Sequence, residues 1–217
     1  MSLRRVLGWC LFMGIVGSQA WTTEDNSPVA GGNSVAVKAA VPAPETFVRS
    51  GIDQTIQAIT GSQTREERYE KVKVIFQKYF DLPRLAGFSL GGSAWGGLSE
   101  DEKNAFIEKY SEFVLRFYLG KLEGYNSNKI EVGTSEIKKG THATVPTLIE
   151  IGNTKAKLKY SLILKDSEWK IYDVEIEGVR LSLTYREQFV SALNSKKFVG
   201  LIEDLDRLIN KAKGEKT

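Results

Sequence analysis

The stretch Glu168–Phe189, EWKIYDVEIEGVRLSLTYREQF, decides how this chain is read. Trp169, Ile171, Tyr172, Val174 and Ile176 make an aromatic-rich strand that reaches Gly178. A second apolar alternation, Val179, Leu181 and Leu183, extends it to about Leu183, where Tyr185-Arg186 opens a helix. A strand feeding a helix at its end fixes a sheet with helices against it, and the flanking sequence is read from there.

Upstream, three more segments have a period of two. Ile130–Lys138 is one strand, closed by a turn at Lys139-Gly140. Ala143, Val145, Thr147, Ile149 and Ile151 share a face of the next, and Pro146, which has no N–H, assigns that strand to an edge or a bulge. Gly152-Asn153 is the following hairpin turn. Leu158, Tyr160, Leu162 and Leu164 share a face of the third strand, which Asp166-Ser167 turns into the Trp169 strand. Before Gly124 the period is helical. A helix from Pro44 carries Phe47, Ile52, Ile56 and Ile59 and ends at Gly61. Thr64 to Glu67 is a capping box for a helix bearing Tyr69, Val72, Ile75, Phe76 and Phe80. Asp81-Leu82-Pro83 breaks it ahead of a short helix over Arg84–Phe88. Gly91-Gly92 and Gly96-Gly97 bracket Trp95 in a loop, a place for a hinge. Ser99 to Glu102 is a second capping box, for the longest helix, to about Leu122. Two closing helices span roughly Tyr185–Asn194 and Phe198–Lys211. The fold class is therefore α+β: a four-stranded antiparallel sheet packed against a helical layer, with helices at both ends.

The chain has 217 residues and a formal charge of +3. Arg4-Arg5, the apolar Val6–Gly17 and Ser18-Gln19-Ala20 have the form of a cleavable export signal over 1–20, cut after Ala20. Trp9 beside Cys10 does not suit a lipidation site. Residues 21–43 are small, polar and Pro/Gly-rich and are expected to be a disordered linker, leaving a single domain over 44–213. Without the signal the balance is 28 basic to 27 acidic residues. That near-neutrality argues against nucleic acid as a partner. Cys10 is the only cysteine and leaves with the signal, so the mature chain has no thiol chemistry.

Catalytic and metal motifs do not assemble. A lone His142 without cysteines makes neither a zinc site nor a triad. The glycine pairs around Trp95 lack the Lys-Ser/Thr of a phosphate loop. No cofactor and no catalytic residue is expected. What stands out is an excess of large apolar side chains able either to fill a core or to line a cavity for a hydrocarbon ligand. The candidates are Phe76, Phe80, Leu90, Trp95, Phe113, Phe117, Tyr118, Val145, Ile149, Tyr160, Leu162, Tyr172 and Val174. Each buried methylene gains about 0.8 kcal/mol, so two acyl chains need no specific hydrogen bonds.

The run W-x-I-Y-D-V-x-I-x-G-V…Y-R-x-x-F, together with Phe80-Asp81, Leu90-Gly91, Trp95 and the Phe106–Tyr118 helix, resembles the MlaC/toluene-tolerance family of periplasmic lipid carriers, over about Pro44 to Leu208. The resemblance implies an NTF2-like fold and a soluble, monomeric periplasmic carrier rather than an enzyme. Its cargo would be a phospholipid, passed between an outer-membrane lipoprotein complex and an inner-membrane ABC transporter with its MCE subunit. The related hopanoid-associated HpnM group leaves a hopanoid-related lipid open, and an NTF2-like enzyme using Asp173 or Asp81 as a base is the other alternative. Asp81, Gly91, Trp169, Asp173, Gly178 and Arg186 then read as framework, with Asp173 and Arg186 expected to pair and clamp the last strand to the helix. Arg180 stands where the family pattern leads one to expect serine.

Overall fold

The computed structural model describes residues 41–121, 129–151 and 154–214. The export signal, residues 21–40 of the linker, Gly124 and the Gly152-Asn153 turn lie outside them. Five helices come first: α1 (Pro44–Thr60), α2 (Arg65–Tyr79), α3 (Leu82–Leu90), α4 (Gly92–Gly96) and α5 (Glu100–Lys121). Six strands follow: β1 (Ile130–Val132), β2 (Glu136–Lys138), β3 (His142–Ile151), β4 (Thr154–Lys165), β5 (Glu168–Ile176) and β6 (Val179–Arg180). Helices α6 (Leu181–Thr184) and α7 (Arg186–Lys213) close the chain.

Both capping boxes form. Thr64 Oγ1 accepts from the Glu67 amide at 3.1 Å, and Ser99 Oγ from the Glu102 amide at 3.3 Å, while Glu102 reaches back to the Ser99 amide at 2.9 Å. Asp81 caps α3 by accepting from the Arg84 amide at 3.1 Å, so that helix begins at Leu82, earlier than the sequence suggests. The segment around Trp95 is helical as well. Gly91, at φ 86°, turns the chain from α3 into α4, a conformation open to glycine. The Trp95 indole lies against Gly87, where an added Cβ would meet it at 3.3 Å. At Gly51 an added Cβ would sit 2.9 Å from the Tyr79 ring, so α1 and α2 approach closely there.

The sheet is antiparallel in the order β1-β3-β4-β5-β6, with β2 also on β3. The four expected strands are present, but the first and last are broken. The first divides into β1 and β2 opposite Pro146. The Gly133 amide donates to Pro146 O at 2.9 Å, so the proline's missing donor faces this break. Pro146 therefore sits in an interior strand whose neighbour is interrupted, rather than on an edge. The last strand does not run to Leu183. Glu177 (φ 48°) and Gly178 (φ 81°) form a two-residue turn with both residues at positive φ, and β6 folds back on β5. Leu181 then starts α6. Lys139-Gly140 and Asp166-Ser167 turn the same way, at the positions the sequence marks.

A bulge falls in β5, where Ser161 pairs with Asp173 and Leu162 with Ile171, leaving Tyr172 unmatched. Ile171 and Val174 consequently both enter the apolar side of the sheet, a phase change that strict alternation misses. The two closing helices join as α7 through a kink at Lys197, at φ 61° and ψ −174°. Among the described residues no helix is long and apolar enough to cross a membrane.

Candidate functional site

The apolar candidates fall into two clusters. The helical one is built from the end of α1 and from α2, α3, α5, α6 and α7 and buries Phe76, Leu90 and Phe113, with Phe80, Trp95, Phe117 and Tyr118 packed on it. At its centre Phe106 stacks on Tyr110 at 5.6 Å, and Phe189 meets both rings edge-on. The second cluster lies between α1, α2 and the sheet. It buries Val48, Tyr79, Val145, Tyr160, Leu162, Trp169, Ile171 and Val174. Helices α1 and α2 contribute buried residues to both, and Ile75 and Phe80 pack against both. Ile149 is half-buried, paired with Ile130, and belongs to neither. Tyr172 also falls outside them: the bulge turns it toward Phe88, 5.8 Å away edge-on, and His142, with Arg84 over its ring.

Two hydroxyls interrupt the sheet cluster. Thr147 Oγ1 is buried without a hydrogen-bond partner among the described residues. Tyr160 stands diagonal to it across the β3–β4 pair, since Thr147 faces Leu158 and Val145 faces Tyr160. Burial pushes the Tyr160 phenol up to about 12.

The carboxylates considered as bases are structural. Asp173 is 1% exposed. Its Oδ1 accepts from the amides of Val174 (2.9 Å) and Ser182 (3.1 Å), and its Oδ2 from Ser182 Oγ (2.6 Å) and Arg180 Nε (2.8 Å). The expected pairing with Arg186 is thus corrected. The partners are Arg180 and Ser182, brought back over Asp173 by the turn at Gly178, while Arg186 donates to Phe88 O and ties α7 to the end of α3. The two-residue turn is the signal that would have pointed to them, because it places residues seven to nine positions on beside Asp173. Asp81 is engaged as the α3 cap. Trp169 Nε1 donates to Pro42 O at 3.0 Å, fixing the chain where it enters α1. Among the described residues no three His, Cys, Asp or Glu side chains are grouped to hold a metal.

A polar pocket of about 210 Å3 lies where α2 begins and α5 and α7 end, lined by Arg65, Glu66, Arg68, Tyr69, Arg116 and Lys213 among others. Sequence reading misses it, because it joins three segments far apart along the chain: Glu66 and Arg116 are 50 positions apart, Arg65 and Lys213 148.

An antiparallel sheet backed by helices, with an apolar interior in two clusters and Asp173 and Asp81 engaged in framework bonds, is an α+β architecture of the NTF2-like kind. The family model described as "MlaC protein" matches residues 49–207, and the chain belongs to that family. The toluene tolerance protein ttg2D of Pseudomonas putida is 27% identical over 117 residues, 53% of this chain and 52% of that protein, so the chain matches about half the length of this relative. Among solved structures, the phospholipid-binding protein from Ralstonia solanacearum in complex with a phospholipid superposes with a TM-score of 0.72 at 18% identity, covering 79% of this chain and 99% of that one. That likeness establishes the shared fold.

Proposed function

We propose that this protein is a periplasmic lipid carrier that holds the acyl chains of a phospholipid in its apolar interior. The observation that carries the reading is the division of that interior. The apolar interior falls into two clusters that share only Ile75, on α2, and Phe80, at its end, as side chains packed on both. A seam between two cores opens by exchanging side-chain contacts for acyl-chain contacts, apolar for apolar, with few directional bonds broken. On this reading the lining is drawn from both clusters, Phe76, Phe80 and Phe113 from the helical one and Val145, Tyr160, Leu162 and Val174 from the sheet one. Membership of the MlaC family and a fold shared with a protein solved in complex with a phospholipid support the same reading. On this proposal the chain is exported by a signal cut after Ala20 and works as a monomer. It receives and delivers its cargo at an outer-membrane lipoprotein complex and an inner-membrane ABC transporter with its MCE subunit.

Native mass spectrometry of the protein purified from a Gram-negative periplasm tests the reading. A lipid-sized adduct on the monomer is expected, and its mass distinguishes a phospholipid from a hopanoid-type lipid. A bare monomer whose organic extract contains no lipid would overturn the proposal.

A further inference from the structure

Thr147 breaks the apolar character of the sheet cluster from within. It is 4% exposed, and its Oγ1 is buried with no hydrogen-bond partner among the described residues. Strand β3 pairs with β4 without a bulge from His142 to Ile151, so Thr147 faces the same way as Ala143 and Val145, both buried in that cluster. Its partners on the neighbouring strands, Val132 on β1 and Leu158 on β4, pack on the cluster as well. Tyr160, diagonal to it, does not satisfy it: burial alone, with no hydrogen bond, raises that phenol. Valine has nearly the shape of threonine and would fill the place without a dry polar atom. A buried hydroxyl that donates to nothing costs the lipid-free fold stability, and an acceptor entering the cluster removes that cost.

The position narrows what the acceptor is. Strand β1 ends at Val132, opposite Thr147, and β2 resumes at Glu136, opposite Thr144. Two positions beyond Thr147, Ile149 pairs with Ile130, whose carbonyl takes the Arg49 bond from α1 at 3.0 Å. The hydroxyl is thus buried among apolar side chains, yet stands beside the broken outer strand and the edge where α1 is tied to the sheet. A ligand group there has an apolar part inward and a route to water outward. In a diacyl glycerophospholipid the two ester carbonyls occupy that junction between chains and head group, and they accept hydrogen bonds without donating any. A hopanoid-type hydrocarbon has no such acceptor.

We infer that the Thr147 hydroxyl donates to an ester carbonyl of the bound lipid and selects ester-linked glycerophospholipids. The assignment rests on the carrier reading and adds the depth at which the lipid is held: chains among the sheet cluster, head group beyond the β1 edge.

The test compares two lipids across variants. The mature protein, loaded with a fluorescent phospholipid, is titrated with dioctanoyl phosphatidylglycerol and with its dioctyl ether analogue, in the wild type, Thr147→Val and Thr147→Ser. The two lipids share a head group, and comparing the ratio of their affinities between proteins cancels their difference in hydrophobicity. The ester-to-ether ratio should fall about fivefold in Thr147→Val, the weight of one hydrogen bond, and persist in Thr147→Ser. Thermal melts without lipid confirm that each variant is folded, and Thr147→Ala replaces a valine variant that is not, with the same fall expected. An unchanged ratio in Thr147→Val, or one that Thr147→Ser loses as fully, overturns the assignment; displacement by both lipids would leave the carrier reading standing. Failure of the wild type to bind any of these lipids overturns both.

Discussion

Replacing Asp173 with alanine should be among the most damaging single changes to this fold, and the structure sets its size. The carboxylate is buried and takes four hydrogen bonds. Alanine strands the amides of Val174 and Ser182 in a site closed to water, at about 1–3 kcal/mol each. The Ser182 hydroxyl can rotate to another acceptor. Arg180 has a side chain 44% exposed and returns its charge to water, so its lost pairing counts for little. The total is about 4 kcal/mol, or roughly 8–16 °C in melting temperature for a domain of this size. Arg180→Ala leaves Asp173 three donors and should cost about 1–2 kcal/mol. Arg186→Ala, which gives up only an exposed bond to Phe88 O, should cost about 0.5–1 kcal/mol. Urea unfolding followed by circular dichroism measures all three, and an unchanged slope keeps the comparison valid. A loss below about 1 kcal/mol for Asp173→Ala, or a larger loss for Arg186→Ala than for Arg180→Ala, would refute the reasoning.

Thr147→Val removes a buried hydroxyl that has no partner among the described residues and should raise the stability of lipid-free protein by about 1 kcal/mol, read from the urea midpoint. Gly51→Ala pushes a methyl into the Tyr79 ring and should cost about 1–3 kcal/mol, with a loss of tertiary signal in near-ultraviolet circular dichroism. The hydrogen bond from Arg116 holds the Glu66 carboxyl below its usual value of 4.5. A lowered folded value contributes stability above pH 4.5 that is lost as pH falls from there through the folded value. Arg116→Leu should therefore flatten the acid limb of the stability profile, as measured by urea midpoints between neutral and acid pH.

The parts of the fold that show in the sequence are those set by local chemistry. Thr64 and Ser99 start their helices through bonds to residues three positions away, and Lys139-Gly140 and Asp166-Ser167 mark turns. What the sequence hides depends on register. A single unmatched residue, Tyr172, sends Val174 inward and puts Asp173 on the other side, where α6 covers it. The Glu177-Gly178 turn shortens the last strand and brings Arg180 over Asp173, a pairing across a hairpin that reading along one strand replaces with Arg186. Val145 and Leu162 of the candidate site are legible as inward positions of their strands. The division of the interior into two clusters is not, because Phe76 and Tyr79 look alike in the helical pattern yet belong to different ones.

On the carrier reading that division also identifies the wall that gives way. Acyl chains replacing side-chain contacts leave the apolar balance nearly even, so the directional bonds govern opening. Across the sheet cluster α1 has few of them. Arg49 Nη2 donates to Ile130 O at 3.0 Å, and Trp169 Nε1 to Pro42 O at 3.0 Å. On its other side α1 is fastened to α2, where the Tyr79 hydroxyl meets Ser50 and Gln54 and Gly51 lies on the ring. The weak edge is therefore the one between α1 and the sheet. Trp169→Phe keeps an aromatic ring in the cluster and removes one bond worth about 1 kcal/mol, so lipid transfer should quicken by about fivefold. Dequenching of a fluorescent phospholipid moving from loaded protein to acceptor vesicles reads the rate. An unchanged rate in a variant that still binds lipid would place the opening elsewhere and leave α1 a fixed wall.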